Sequence, residues 1–398
     1  TMALTLTLLL AGKVGWGQAF TFTAGNLNYS DNFDAIGSAG TTYPTGWNAI
    51  RIGGSGTLNA DLPLKVTDGS ASSGDMYNVG TTGDGDRCLG ALASGTTIPA
   101  YGASLLNSTG KTITSLDFSF VVEQWRSGSS NTVNEVNVFE YSLDATSLST
   151  GTWTAVSSLD LNEILTSTTS AAAVDGNQVA NQANVSSSIT GISIPDGATI
   201  WFRWRDDNAA GSDGILAVDN LSITANLDTQ APQATFNPLN AATNFEPTVT
   251  PTITFDEAIR NINDSEITDA NIASLLTFKE TDASGADVPF TATISADKKL
   301  ITITPSSTLN FNQVYYLAIA PVEDESNNAT TAQSITFTTR AASTDATVSS
   351  SVYTVDNTAE TITNVPSSET LANFKANITP AAGATFEVYQ ADGTTVAT

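Results

Sequence analysis

The chain has 398 residues, 40 acidic and 14 basic, with no His and a single Cys, for a formal net charge of −26. Without His, a Ser-His-Asp triad, a Cys-His dyad and a His-ligated zinc are excluded, and the lone Cys88 excludes an intramolecular disulfide. So negative a field repels phosphate backbones, which sets nucleic acid and bare anionic membrane aside and leaves divalent cations and neutral or cationic polymers as partners.

In chain order, an apolar run from Met2 to Ala11 is followed by Lys13 and the small residues Gly15 and Gly17. That pattern predicts a signal peptide over residues 1–18, too short to span a bilayer, with a mature chain from about Ala19 or Phe20. From 19 to 227 the sequence reads as short strands punctuated by Gly, Asn, Asp and Ser, clearest at Ser115–Val122, Val133–Ser142 and Thr199–Trp204. Strands of this number without a 3.6-residue period predict an all-β fold that opens with a jelly-roll-like sandwich. The polar segment Ala171–Ser188 reads as a long surface loop.

A Pro-bearing joint at Leu227–Pro232 marks a boundary. Residues 228–340 then carry the pattern of an Ig-like sandwich, with strands expected at Thr252–Phe255, Phe290–Ile294, Leu300–Thr304, Val314–Ile319 and Ser334–Thr338. Asp297–Lys299 fits a hairpin turn, and Asp269–Leu276 one helical turn capped by Asp269. The remainder, 341–398, shows strand signals at Val352–Val355 and Thr385–Tyr389. It is short for an independent sandwich, so it reads as a partial β module of a chain expected to continue past Thr398.

Several strings carry a family resemblance. Asp31-Asn32-Phe33-Asp34, Gly46-Trp47, Asp86–Gly90, Glu123–Arg126, Trp201–Gly214 and Val218–Ile223 together resemble secreted bacterial jelly-roll modules. Pro251–Glu257, Leu300–Pro305, Tyr315-Tyr316, Asp324 with Asn327-Asn328, and Ile335–Thr339 resemble the bacterial Ig-like family of surface-layer and adhesin proteins, departing from its pattern at Asn327-Asn328, where Gly-Asn is commoner. The terminal segment is similar to small β repeats near the ends of such proteins. These resemblances imply an extracellular address and a fold, but no reaction.

Three groups of residues could carry chemistry. A jelly roll sets its first and last strands side by side, so Asp31 and Asp34 are placed to meet Asp219 around a hard cation; calcium is the natural ion, and turn capping or pairing with the scarce arginines is the plainer alternative. Asp206 and Asp207, with Asn208, Asp213 and Asp219, form the densest oxygen-ligand string, without EF-hand spacing; a solvated hairpin loop explains it more simply. Trp125, Arg126, Trp204 and Arg205 are the candidate ligand-binding set, since indole faces stack on sugar rings, although a structural Arg, Trp and Glu network or a core role fits the same residues. No pattern marks Glu123, Glu135 or Glu140 as a hydrolytic dyad.

The reading is a non-enzymatic secreted surface or matrix protein with a structural or adhesive role. Its partners would be neighbouring copies of itself, other surface proteins or polysaccharide, and it could be the subunit of an extracellular filament. The alternative is a carbohydrate-binding accessory region of a larger secreted enzyme. Phe20–Thr23 could pair within the chain or complete a neighbour's sheet. N-terminal sequencing of the exported protein should begin near Ala19; a mature protein that starts at Thr1 or Met2 contradicts the cleavage.

Overall fold

The computed structural model describes residues 19–129, 135–166 and 170–397; the signal-peptide expectation lies outside them. The chain is all-β, in sandwiches, and forms two compact units. One runs to Gln230 and includes Glu325–Asn328; the other comprises Ala231–Asp324 and the residues from Ala329 onward.

The first unit contains β1 (Phe20–Thr23), β2 (Asn28–Asp31), β3 (Asn48–Gly53), β4 (Leu64–Thr67), β5 (Asp75–Val79), β6 (Cys88–Leu92) and β7 (Ile98–Ser108). It continues with β8 (Ile113–Arg126), β9 (Val136–Ser142), β10 (Thr154–Ala155), β11 (Leu161–Asn162), β12 (Gln182–Ile194), β13 (Thr199–Arg205) and β14 (Ile215–Leu227). These form two seven-stranded sheets. One has the order β1-β7-β13-β9-β10, with β3 on β7 and β11 on β9; the other has the order β12-β8-β14-β6-β5-β4, with β2 on β14. β1 pairs in parallel with β7 of the same chain, Phe20 opposite Leu105.

Alternation explains the layers. In β13, Thr-Ile-Trp-Phe-Arg-Trp-Arg sends Phe202 and Trp204 to one face, and Trp201, Arg203 and Arg205 to the other. Phe202 and Trp204 meet Phe118, Phe120, Phe139, Trp47 and Tyr101 across the two sheets, mostly edge to face at ring-centroid distances of 5.4–6.4 Å. Along β8 the alternation holds as far as Val122, beyond which four consecutive residues, Val122–Trp125, are buried. The outer face there packs a second cluster of Tyr77, Val79, Cys88, Leu92, Trp125, Ile215 and Ala217.

The segment after Ser170 covers that cluster: Val174 N donates to Trp125 O at 2.9 Å. A Cβ on Gly176 would stand 2.3 Å from Trp125 Nε1, so only glycine lets the backbone lie so close to the indole. The expected loop is therefore shorter than the sequence implied. Gln182–Ser188 is the start of β12, paired antiparallel to β8. Its Ser- and Asn-rich composition suits a sheet-edge strand, where half the side chains face water, and so lacks an apolar period.

The second unit has β15 (Ala234–Asn237), β16 (Ala242–Phe245), β17 (Thr252–Phe255), β18 (Arg260–Asn261), β19 (Leu276–Glu280), β20 (Phe290–Ile294), β21 (Leu300–Pro305), β22 (Val314–Ile319), β23 (Val322–Glu323) and β24 (Gln333–Thr339). The four-stranded sheets β15-β17-β21-β20 and β16-β24-β22-β19 enclose Ile253, Phe255, Phe278, Ile301, Ile303, Tyr315, Leu317 and Phe337, while β18 pairs with β23. The hairpin joining β20 and β21 turns at Ser295–Lys299, with Lys298 at φ 58°. The short helical turn is a 3-10 helix at Ile272–Leu275, but its flanking residue is Asn271. Asp269 instead accepts a hydrogen bond from Ile294 N at 2.8 Å, tying the turn to β20.

The last residues depart most from expectation. They form the ribbons β25 (Val348–Ser349) with β28 (Thr379–Pro380) and β26 (Thr354–Asp356) with β27 (Thr361–Thr363), together with one helix, α1 (Leu371–Ala376). Thr370 caps α1 by accepting from Asn373 N at 3.2 Å. Thr385–Tyr389 is not a strand; Tyr389 alone makes a bridge, to Val396.

Trp204 is wholly buried and its indole N–H donates to Leu159 O at 3.0 Å. Trp204→Ala should lower the stability of the first unit by about 3–5 kcal/mol, whereas truncating the surface residue Leu58, 57% exposed, should change it by less than about 0.5 kcal/mol. Every Trp of the chain precedes residue 205, so urea unfolding followed by the fluorescence of the remaining indoles reads this unit.

Candidate functional site

The five predicted metal ligands separate into two places. At the seam of β2 and β14, Leu221 lies opposite Asp31. Asp31 is consumed by its own turn: Oδ1 accepts from Phe33 N at 2.8 Å and Oδ2 from the Tyr29 hydroxyl at 3.2 Å. It is a turn former, as the plainer alternative of turn capping expects. Asp34 opens a 3-10 turn and accepts from Arg87 N at 2.9 Å, across 53 residues of sequence.

Asp219 sits where β14 bulges against β8, beside Asn220 at φ 51°. Its Oδ2 accepts from Asn220 Nδ2 at 2.6 Å, while the buried Oδ1 has no hydrogen-bond partner among the described residues. Burial first, then the charges of Glu123, Asp86 and Asp34, push the Asp219 carboxyl up to about 7, against a backbone N–H of Asn220 that lowers it. Asp34 and Asp219 thus do share a neighbourhood. Asp86 and Glu123 join them, and neither was named as a ligand. Glu123 is 2% exposed and holds Trp125 Nε1 at 2.9 Å and Gln182 Nε2 at 2.8 Å.

Arg87, between Asp86 and Cys88, is 1% exposed and forms no ion pair among the described residues. Its guanidinium donates to Asn78 Oδ1 at 2.7 Å, Asn78 O at 2.8 Å and Thr81 O at 3.3 Å, and burial lowers its basicity. The Cys88 thiol is pushed far up, by burial first and then by Glu123, so it is an inert core group and not a nucleophile.

The second place is the end of β13. Asp206 follows directly on the strand, its N–H donating to Pro99 O at 3.0 Å and its Oδ1 accepting from Asp207 N at 2.8 Å. Asp207 is exposed and accepts from Asn208 N at 2.9 Å, so it stands on the rim. Three side chains from elsewhere face Asp206 or line the space beside it: Glu135, just before β9; Glu163, just after β11; and Asp213, just before β14. Glu135 and Glu163 clasp each other through backbone and side chain, with Glu163 N to Glu135 O at 2.9 Å and Glu135 N to Glu163 Oε2 at 3.2 Å. Glu135 Oε2 accepts from Gly214 N at 2.5 Å. Burial raises Glu135 to about 8 and Asp213 to about 7, and pushes Asp206 far above the carboxylate range, with Glu135 its strongest charge neighbour.

The four predicted ligand-binding residues do not assemble into a surface platform. Trp204 is core, and Trp125 is 1% exposed, beneath Gly176. Arg205 lies 3.6 Å from Glu140. The Arg, Trp and Glu network exists with other members: Arg203 pairs with Glu140 at 2.6 Å and lies over the Trp153 ring at 3.8 Å. Arg126 lines a polar cleft of ≈ 190 Å³ with Ser94, Asn208, Ser212 and Asp213, and Trp125 borders a separate opening with Asp68, Thr81 and Asp175.

Residues 228–339 match the bacterial Ig-like domain. No curated protein matches the chain. Among solved structures it is similar to the K3 cleaved adhesin domain of Lys-gingipain from Porphyromonas gingivalis, at 14% identity over 46% of this chain and 92% of that one, with a TM-score of 0.27. It is also similar to the adhesin domain of Epf from Streptococcus pyogenes, at 12% identity over 63% and 76%, TM-score 0.22. A third is TmCBM61, solved with β-1,4-galactotriose, at 7% identity over 36% and 74%, TM-score 0.21.

The seam makes a pH dependence. Folded Asp219 keeps its proton up to about pH 7, whereas an unfolded Asp releases it near pH 4. Between those values folded Asp219 binds more protons than the unfolded chain's Asp, so its contribution to stability is fullest below about pH 4 and is lost as pH rises through 7. In a chelator, the melting temperature should therefore drop from pH 4 to 8, and Asp219→Asn should flatten that slope and raise the melting temperature at pH 8. An unchanged slope in the variant would show that Asp219 does not bear the strain.

Proposed function

We propose that this protein is a non-catalytic, secreted component of the bacterial surface or extracellular matrix, whose sandwiches act as structural or adhesive modules. The observation that carries the reading is where the reactive-looking groups lie. Cys88, Arg87, Glu123, Arg203, Asp206 and Asp219 are each 9% exposed or less, inside a β framework where they hold strands and turns instead of facing a substrate. The bacterial Ig-like match over 228–339 supports a modular extracellular build. Among the described residues no helix is long and apolar enough to cross a membrane.

A structural calcium at the β2–β14 seam belongs to the same reading. Asp34, Asp86 and Asp219 offer hard oxygen ligands, and the unpartnered Asp219 Oδ1 fits such an ion. Chelation of the purified protein should then lower its melting temperature; no change would remove this ion from the reading.

One observation favours polysaccharide as the contact: the polar cleft of Arg126, Asn208 and Asp213. The purified protein should bind bacterial surface or matrix material without releasing reducing ends from polysaccharides, and self-association should be read by size exclusion and electron microscopy. Saturable glycan-array binding abolished by Arg126→Ala would assign the contact to that cleft. Turnover of a polysaccharide, lost on replacing an acidic residue, would overturn the non-catalytic reading.

A further inference from the structure

Arg126, at the end of β8, is half-buried and forms no ion pair among the described residues. Its guanidinium makes one long hydrogen bond, from Nη1 to Gly69 O at 3.4 Å. A guanidinium carries five N–H donors in a planar fork, so most of this fork stays open to a ligand. It lines the polar cleft of ≈ 190 Å³.

The walls of that cleft are held by the chain's own backbone. Ser94 sits in a tight hairpin between β6 and β7, its N–H donating to Thr97 O at 2.8 Å and its carbonyl accepting from Thr97 N at 3.0 Å. Ser55 N donates to Gly95 O at the tip of that hairpin, at 3.0 Å. Ser212, before β14, is clamped to Ser129: its N–H donates to Ser129 Oγ at 2.7 Å, and Ser129 N donates to Ser212 O at 2.8 Å. Walls ordered in advance leave little entropy to be lost when a ligand enters.

The lining selects the ligand. Ser72, Asn208 and Ser212 are exposed and present hydroxyl and amide groups that both donate and accept, while Asp213 brings a carboxyl to the wall. A carboxylate or sulfate on a ligand would satisfy Arg126 but meet Asp213, and juxtaposed like charges are costly. A hydroxylated neutral ligand satisfies Arg126 and the amide and hydroxyl groups without that cost. Among the described residues no aromatic side chain lines the cleft, so a sugar ring is met at its polar edge, not stacked on its face. The volume is below the roughly 300–1,000 Å³ of drug-sized sites, which leaves room for one ring.

We infer that this cleft takes one neutral monosaccharide unit of a polysaccharide by its hydroxyl edge, with Arg126 donating to the sugar oxygens and Asn208 and Ser212 accepting from the sugar hydroxyls. The inference rests on the polysaccharide reading above and narrows it, because glycans built of uronate or sulfated units are refused at this site.

The test is saturation-transfer NMR on the full chain, titrated with the methyl glycosides of glucose, galactose and mannose and, separately, of glucuronate and galacturonate. It is run at about pH 8 and about 0.15 M salt, where Asp213 is ionised and a Debye length of about 8 Å leaves the cleft's own charges to discriminate. At least one neutral glycoside should saturate the protein and bind about tenfold or more tighter than either uronate. Arg126→Ala should weaken it by about tenfold or more, and so should Ser212→Trp, which fills the cleft from an exposed position. Near-ultraviolet circular dichroism verifies folding, and Ser212→Trp decides if Arg126→Ala does not fold. Neutral binding unchanged in the folded variants overturns the site. Uronates that bind as tightly as the neutral glycosides, and lose affinity in Arg126→Ala, overturn the neutral specificity while the polysaccharide reading stands. Saturation by none of the five glycosides overturns the inference; the polysaccharide reading then falls as well only if the glycan array is also blank.

Discussion

The first unit depends on one strand buried on both faces. β13 lies between β7 and β9 and carries the core aromatics Phe202 and Trp204 on one side. On the other side Trp201 packs with Ile50, Ala100, Ala145 and Leu148, and Arg203 must be neutralised by Glu140 from β9 and stacked on Trp153. A guanidinium so enclosed is stable only while both partners hold it, because an unpaired buried charge costs several kcal/mol. The strand therefore fixes its neighbours' register: Arg203 opposite Glu140, and Trp204 opposite Phe139 and Tyr101. Its next residue is Asp206, so the register that packs the core also delivers a carboxylate to the interior.

That linkage explains what was legible in the sequence. Period-two strings gave strands where one face is apolar and the other wet, as at Thr252–Phe255, Leu300–Pro305 and Val314–Ile319. They failed where the pattern disappears. β12 is polar on an edge, and α1 spans only 6 residues, less than two turns, too few to establish a helical period. The short turn was expected to be capped by Asp269, a good capping type, but Asp269 accepts instead from Ile294 N of β20, 25 residues away, and Asn271 at the turn's start makes no side-chain cap.

The functional groups were legible by type more than by membership. The acid-rich string after β13 announced oxygen ligands, yet Glu135 and Glu163 come from 71 and 43 residues before Asp206, and only sheet pairing places them beside it. Asp86 lay in plain view at the head of Asp86–Gly90, where its nearness to Asp219 could not be seen. The aromatic residues misled in the opposite sense. Trp125 and Trp204 look like a sugar platform in a list of residues, but alternation turns Trp204 into the core, and a glycine lets the chain close over Trp125.

Charge balance ties these threads together. With 40 acidic residues against 14 basic ones, the chain cannot give each interior carboxylate a side-chain cation, and its arginines are already committed, Arg203 and Arg205 to Glu140 and Arg87 to Asn78. The remaining buried acids are held by neutral donors, as Trp125 and Gln182 hold Glu123, or keep a proton. A proton satisfies such a carboxyl only below its raised pKa, so the contribution is lost as pH rises. An acidic surface and interior carboxylates that lack a side-chain cation are then two consequences of one composition.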